Sequence, residues 1–222
     1  MTRRAEQTGG NAPGNFDRLA GIYRWMEWTS FGPWLGRCRR AFLNELGGAR
    51  RALVLGDGDG RFTAALLDAN GGVEADAVDA SAAMLRALQR RAGQNAGRVR
   101  TFVADARRWE PEPRGYDLVA THFFLDCLTT DEVRVLAERV RRVMTPGATW
   151  VVSEFAVPEG AYGRLVARPL IAFLYFAFRV MTGLRVRRLP DHITAMERSG
   201  FVMRARRARL GGLLVAEKWE MQ

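Results

Sequence analysis

The stretch RALVLGDGDGRF, residues 51–62, decides how the rest of the chain is read. Ala52 to Leu55 form a short apolar run that breaks into Gly56, Gly58 and Gly60, separated by aspartates. A strand ending in such a turn offers bare backbone where a side chain would hold a ligand off. In open α/β sheets ligands sit beyond the carboxyl ends of the strands. Downstream, RFTAALLDA (61–69) reads as a helix and VEADAVDA (73–80) as a strand ending at Asp79. SAAMLRALQRRAG (81–93) reads as a helix capped by Ser81 and ended by Gly93. VRTFVADA (99–106) is a strand with Asp105 at its carboxyl end, and YDLVATHFFL (116–125) is a fourth strand. TTDEVRVLAERVRRVM (129–144) carries Val133, Leu136, Val140 and Val143 at helical spacing, and Pro146-Gly147 turns the chain into the apolar strand ATWVVSEFAV (148–157). Short apolar strands alternating with helices predict a parallel sheet covered on both faces. The end differs: PDHITAMERSGF (190–201) is a helix stopping at Gly200, and two strand-like runs joined by Gly211-Gly212 predict a hairpin.

With 222 residues, 48% of them hydrophobic, the chain can bury one full core, read here as a single domain over residues 16–222. Residues 1–15 are polar, lack the apolar run of a signal peptide and read as a flexible tail. Residues 16–48 predict two helices broken at Gly32-Pro33, the second from Trp34 to Leu46. Cys38 and Cys127 have neither disulfide nor zinc spacing, which points to a reduced, cytoplasmic setting and to no metal site. The net charge is +10, and residues 164–209 hold eleven arginines against Asp191 and Glu197. Such a block is either a solvated face or a surface for an anionic partner: nucleic acid, lipid headgroups or an acidic substrate.

Three ligands compete for the glycine turn. A phosphate-binding P-loop requires Gly-Lys-Ser/Thr, but Gly60 is followed by Arg61-Phe62. A dinucleotide turn wants its last small residue where Arg61 stands. S-adenosylmethionine has no pyrophosphate; it needs the tight turn, an acid for the ribose hydroxyls and a polar group for the adenine amine. Asp79, at the end of the second strand, is placed to accept from the cis-diol, Asp105 from the adenine amine, and Met84 to cover the adenine face.

The set LVLGDGDG (53–60), VDASAAML (78–85), VADA (103–106) and YDLVATHFF (116–124), extended by TPGATWVVSEF (145–155) and the terminal hairpin, resembles the class I S-adenosylmethionine-dependent methyltransferases over residues 50–222. The resemblance implies a Rossmann-like α/β fold: a seven-stranded, mostly parallel sheet with an antiparallel last strand and helices on both faces. It implies a cofactor-binding set of Gly56, Asp57, Gly58, Gly60, Asp79, Ala80, Met84, Asp105, Ala106 and Thr121. One departure stands out: Val54 occupies the place of the acid these enzymes usually carry two residues before the first glycine. Asp57 and Asp59 stand ready to take over its polar work; a non-catalytic protein of the same fold is the competing expectation.

A narrower resemblance is to the ubiquinone/menaquinone biosynthesis methyltransferases. FDRLAGIYRWMEWTSFG (16–32) looks like their amino-terminal helix, which closes over the cofactor with a tyrosine, here Tyr23. GRLVARPLIAFLYFAFRVMTG (163–183) stands where they carry a helical cap between the fifth and sixth strands, here 158–190. PLIAFLYFAF is ten uncharged residues between Arg168 and Arg179, half a membrane span, and reads as a core helix or as a lid over a hydrophobic acceptor with arginines at a membrane surface. The expected partners are therefore a hydrophobic small molecule (aromatic, quinone-like or lipid-like) and, peripherally, an anionic membrane.

Methyl transfer asks the protein to align the acceptor, exclude water and remove a proton. His122, at the end of the fourth strand, is the candidate catalytic base, with Asp126, Tyr162 and His192 as rivals. His192, after Asp191, reads as exposed or capping, and Cys127 as a small core residue. Nucleic-acid methylation is the alternative activity. THFFLDC (121–127) lacks the polar-Pro-Pro-aromatic element that grips a base amine, and no RNA-binding module is visible, so no nucleic-acid partner is expected.

Overall fold

The computed structural model describes residues 33–174 and 189–222. The expected tail 1–15, the first amino-terminal helix with Tyr23, and the later half of the cap lie outside the described residues. Helix α1 (Pro33–Arg39) leads into β1 (Arg51–Leu55), α2 (Arg61–Ala69), β2 (Glu74–Asp79), α3 (Ala82–Ala92) and β3 (Val99–Val103). There follow β4 (Tyr116–His122), α4 (Thr130–Arg141) and β5 (Met144–Phe155). Helix α5 opens at Gly160–Tyr162, passes a π-helical turn at Gly163–Ala167 and continues over 168–174. Helix α6 (His192–Arg198) precedes β6 (Phe201–Arg209) and β7 (Leu214–Met221).

The strands form one seven-stranded sheet in the order β3-β2-β1-β4-β5-β7-β6. Strands β1 to β5 run parallel, while β7 is antiparallel to both β5 and β6, as the terminal hairpin foretold. One face packs on α1, α2 and α3 through Cys38, Phe62, Leu66, Leu85 and Leu88; α5 reaches the same face through Ala167 and Ile171. The other carries α4 and α6 over Trp150 and Trp219, with Val133, Leu136 and Met196. The helix ends follow their chemistry: Ser81 accepts from the Met84 N–H, and Thr129 and Glu132 close a reciprocal capping box on α4. Buried Asp76 ties the sheet together near the entry of its strands. It takes both arms of Arg100 at 2.7 and 2.8 Å and the Tyr116 hydroxyl at 2.6 Å.

The crossovers reverse direction between β1 and β4. That reversal opens a crevice at the carboxyl ends of these strands, where ligands of open α/β sheets bind.

Several elements are shorter than their sequences suggest. The helix expected from Trp34 to Leu46 stops at Arg39; tighter turns then take over, with the Ala41 N–H on the Cys38 carbonyl and a 3-10 turn at Leu43–Glu45, and these bury Phe42 and Leu46. Strand β3 ends at Val103 because the Asp105 carbonyl accepts from Arg108 and Trp109 and starts a turn. Strand β4 ends at His122 because Glu154, on neighbouring β5, draws in the N–H groups of Phe124 and Leu125 at 3.2 and 2.8 Å. Phe123 consequently adopts φ 55°, a left-handed conformation uncommon outside glycine.

Candidate functional site

Gly56, Gly58 and Gly60 have φ values of 68°, 58° and 79°. Their surroundings differ. A Cβ on Gly56 would meet the Phe124 ring at 2.3 Å, and one on Gly60 would meet Leu88 at 2.5 Å. At Gly58 the nearest atom is the Met84 sulfur, 3.9 Å away. Two glycines therefore serve packing, and the middle one leaves a cradle open beside Met84.

Asp79 extends from β2 toward that cradle and accepts from the backbone N–H groups of Ser81, at 2.8 Å, and Gly58. Burial raises its pKa against the pull of those two donors. Asp105 stands at the end of the adjacent strand; Asp79 pairs with Val103 in the ladder, and the Ala104 N–H donates to the Asp79 carbonyl. The two acids thus share one edge of the sheet. Asp105 is gripped by the Arg107 guanidinium at 2.7 to 3.0 Å, which outweighs its partial burial and holds its carboxyl below the ordinary range. Ala80 is exposed beside Asp79, and Met84 is half-buried above Gly58.

Other expected cofactor residues are used differently. Both Asp57 oxygens are occupied within α2, by the Phe62 and Thr63 N–H groups and the Thr63 hydroxyl. Asp59 is held by Arg91 at 2.7 Å and Arg61 at 3.3 Å. Neither aspartate presents a free carboxylate in place of the missing acid at Val54. The Thr121 hydroxyl is fully buried and accepts from the Trp150 indole at 3.0 Å, so its side chain serves the core. Ala106 is buried in the same core cluster. An arginine-lined groove of about 940 Å³ runs beside α1 and α2, past Arg37, Arg40, Arg61 and Arg91.

His122 is buried between Phe62, with ring centroids 4.3 Å apart, and Ser153. Its Nδ1 lies 2.9 Å from Ser153 Oγ, which donates to the Cys38 carbonyl at 3.3 Å. Which of Nδ1 and Oγ donates in the contact between them is set by the imidazole tautomer. Nε2 is buried and has no hydrogen-bond partner among the described residues. Burial, helped by the charge of Arg39, pushes the imidazole pKa well below its ordinary value, so the ring is neutral at pH 7.

On the opposite face lies a group that sequence reasoning missed. Glu154 is almost fully buried; one oxygen clamps the loop after β4 and the other has no partner among the described residues. Burial, reinforced by the charge of Asp126, pushes its pKa well up. His192 is a correction: it is buried, not exposed, with Nε2 3.0 Å from Glu217, whose same oxygen also takes the Trp219 indole N–H at 3.1 Å. Capping of α6 falls to Asp191, which accepts from the Thr194 N–H. Cys127 donates its thiol to Asp126 at 3.4 Å. Periodicity gave no sign of the Glu154 clamp or the His192–Glu217 pair, because each joins residues distant in sequence.

Burial lifts Asp126 to about 6, against the pull of Cys127 and His192. Between the ordinary carboxylate pKa and that value the folded chain keeps a proton that the unfolded chain has released. Stability therefore falls as pH rises through this window. Asp126→Asn is expected to gain about 1–2 kcal/mol at pH 7.5 and little at pH 4. Urea melts across that range would check it, and parallel pH profiles for the two proteins would refute it.

Residues 52–147 match the family model described as the methyltransferase domain. No curated relative matches the chain. Among solved structures, the chain is similar to mitomycin 7-O-methyltransferase, with a TM-score of 0.71 and 17% identity over 94% of this chain and 61% of that one. It is also similar to a candidate O-methyltransferase from Nostoc punctiforme PCC 73102, with a TM-score of 0.69 and 16% identity over 92% of this chain and 59% of that one. A third is N,N-8-amino-8-demethyl-D-riboflavin dimethyltransferase from Streptomyces davawensis, with a TM-score of 0.64 and 19% identity over 94% of this chain and 62% of that one. The chain thus spans about three fifths of the length of these structures. The family match covers the stretch that holds the glycine turn, Asp79 and Asp105, and the similarity to the solved structures extends over the fold of nearly the whole chain.

Proposed function

We propose that the chain transfers a methyl group from S-adenosylmethionine to a hydrophobic small molecule. The observation that carries this reading is the open cradle at Gly58, bounded by Met84 and bordered by Asp79. The residues fit the cofactor: Asp79 has lone pairs left for the ribose diol, Asp105 sits just past the end of the adjacent strand for the adenine amine, and Met84 covers the adenine face. When bound, the cofactor supplies an electrophilic sulfonium methyl. The remaining work is positional and protonic, as it is for the O- and N-methylation that two of the similar structures are named for.

His122 is the proposed base: its ring is neutral, its orientation is fixed by Ser153, and Nε2 has no partner among the described residues. Removing a positioned base typically costs about 10²- to 10⁴-fold in rate. His122→Ala is expected to slow transfer by that order while S-adenosylhomocysteine binding persists; a variant at full rate removes the role. The domain itself is tested by calorimetry and thermal shift with S-adenosylhomocysteine. A saturable response supports the reading, and no heat with no shift overturns it.

A quinone acceptor remains one member of the proposed substrate class; the family model that matches is that of the general methyltransferase domain. The warrant for nucleic acid weakens, because three arginines of β6 are paired within the chain. Arg204 meets Glu220 at 2.6 Å, Arg206 meets Glu217 at 3.5 Å, and Arg207 meets Glu45 at 2.8 Å.

A further inference from the structure

Helix α5 has two faces of unusual character. Gly163, Ala167, Ile171 and Leu174 recur at helical spacing and are buried against the sheet. The side turned away is apolar as well. Leu165 is 76% exposed and Phe173 65%, and Tyr162 and Val166 are exposed beside them. A soluble helix normally carries polar residues there. Instead the outer face has only two charged side chains, Arg164 and Arg168, both exposed and without an ion-pair partner among the described residues. No acidic residue occurs between positions 160 and 174.

We propose that this outer face of α5 docks on an anionic lipid bilayer. Apolar side chains bordered by arginines are the composition of a helix lying in the membrane interface, where the aliphatic parts enter the acyl boundary and the guanidiniums meet headgroup phosphates. The charges choose between occupants. A second copy of the same face would bring arginines against arginines, with one acid, Glu159 at the helix N-cap, to two arginines in each copy. Anionic headgroups supply the missing countercharge, and juxtamembrane arginines gain attraction from them. None of the described helices is long and apolar enough to cross a membrane. In sequence the apolar run continues past Leu174 through YFAF before Arg179. This inference stands apart from the proposed chemistry, since it uses no residue of the glycine turn.

The experiment is co-sedimentation of the full chain with phosphatidylcholine vesicles, with and without about a third phosphatidylglycerol. The expected result is partition to the anionic vesicles at least about tenfold stronger than to the neutral ones, weakening with added salt. Leu165→Ser/Phe173→Ser should lose binding to both. Arg164→Gln/Arg168→Gln should lower binding to the anionic vesicles about tenfold or more and remove most of its salt dependence. Both variants change exposed side chains only, so unchanged thermal stability and S-adenosylhomocysteine affinity serve as fold controls. Equal partition to the two vesicle types would overturn the proposal, as would no partition, or partition that both variants leave intact. A wild-type dimer that dissociates in Leu165→Ser/Phe173→Ser without any vesicle binding would assign the face to self-association instead.

Discussion

Asp79→Ala is expected to weaken S-adenosylhomocysteine binding by about 1.5–3 kcal/mol, or roughly 10- to 150-fold, the loss associated with a charged hydrogen-bond acceptor. The Asp79 carboxyl is half-buried at the end of β2 and is already tied to the N–H groups of Ser81 and Gly58. Those two bonds fix its direction and leave it lone pairs for a diol. The alanine variant therefore removes both a ligand contact and an anchor of the turn. Asp79→Asn separates the two: one amide oxygen can still serve the backbone donors, but the negative charge is gone. A graded loss, with alanine worse than asparagine, is expected by titration calorimetry. Unchanged affinity in both variants would sink the ribose assignment.

The second large effect is on stability. Gly60 holds φ 79°, and an added Cβ would lie 2.5 Å from Leu88 Cγ and 2.8 Å from Leu88 Cα. Leu88 is a buried residue in the middle of α3, and its Cα cannot yield without moving that helix. Left-handed backbone costs a non-glycine residue about 1–2 kcal/mol, and overpacking adds about 1–3. Gly60→Ala is expected to destabilise the fold by about 2–4 kcal/mol, a drop of roughly 5–15 °C in Tm. Gly147→Ala is the control. It has φ 74°, close to that of Gly60, with nothing within 4 Å of the added Cβ, so it should pay the backbone cost alone. Equal losses in the two variants would show that the contact with Leu88 is unimportant.

The framework was legible in the sequence wherever a physical period or a local rule governs it. Apolar runs located β1, β2 and β4, Ser81 announced the start of α3, and Gly211-Gly212 announced the final hairpin. The glycine spacing located the cradle, and adjacency in the sheet brought Asp79 and Asp105 to one edge. Long-range electrostatics were not legible. Asp57 reads as a ligand group in a glycine turn, but its carboxylate satisfies the first N–H groups of α2, a need every helix has and no spacing reveals. Thr121 is expected in the cofactor set from the family resemblance, but its alternation along β4 turns the hydroxyl to Trp150. Glu154 looked like one polar residue in an apolar strand. Only the loop it holds explains a nearly buried carboxyl at that place.

The position of β7 carries a consequence for how this chain comes to be made. The strand that fills the gap between β5 and β6 follows both in the sequence, and its Trp219 and Glu217 are wholly enclosed. During synthesis β5 therefore emerges with one edge bare, and β6 follows with no neighbour to pair with. Closure waits for residues 214–221 to thread between them in the opposite direction. A nascent chain halted before Leu214 would be missing not a fringe but an interior strand, with two open edges available to any other extended segment nearby.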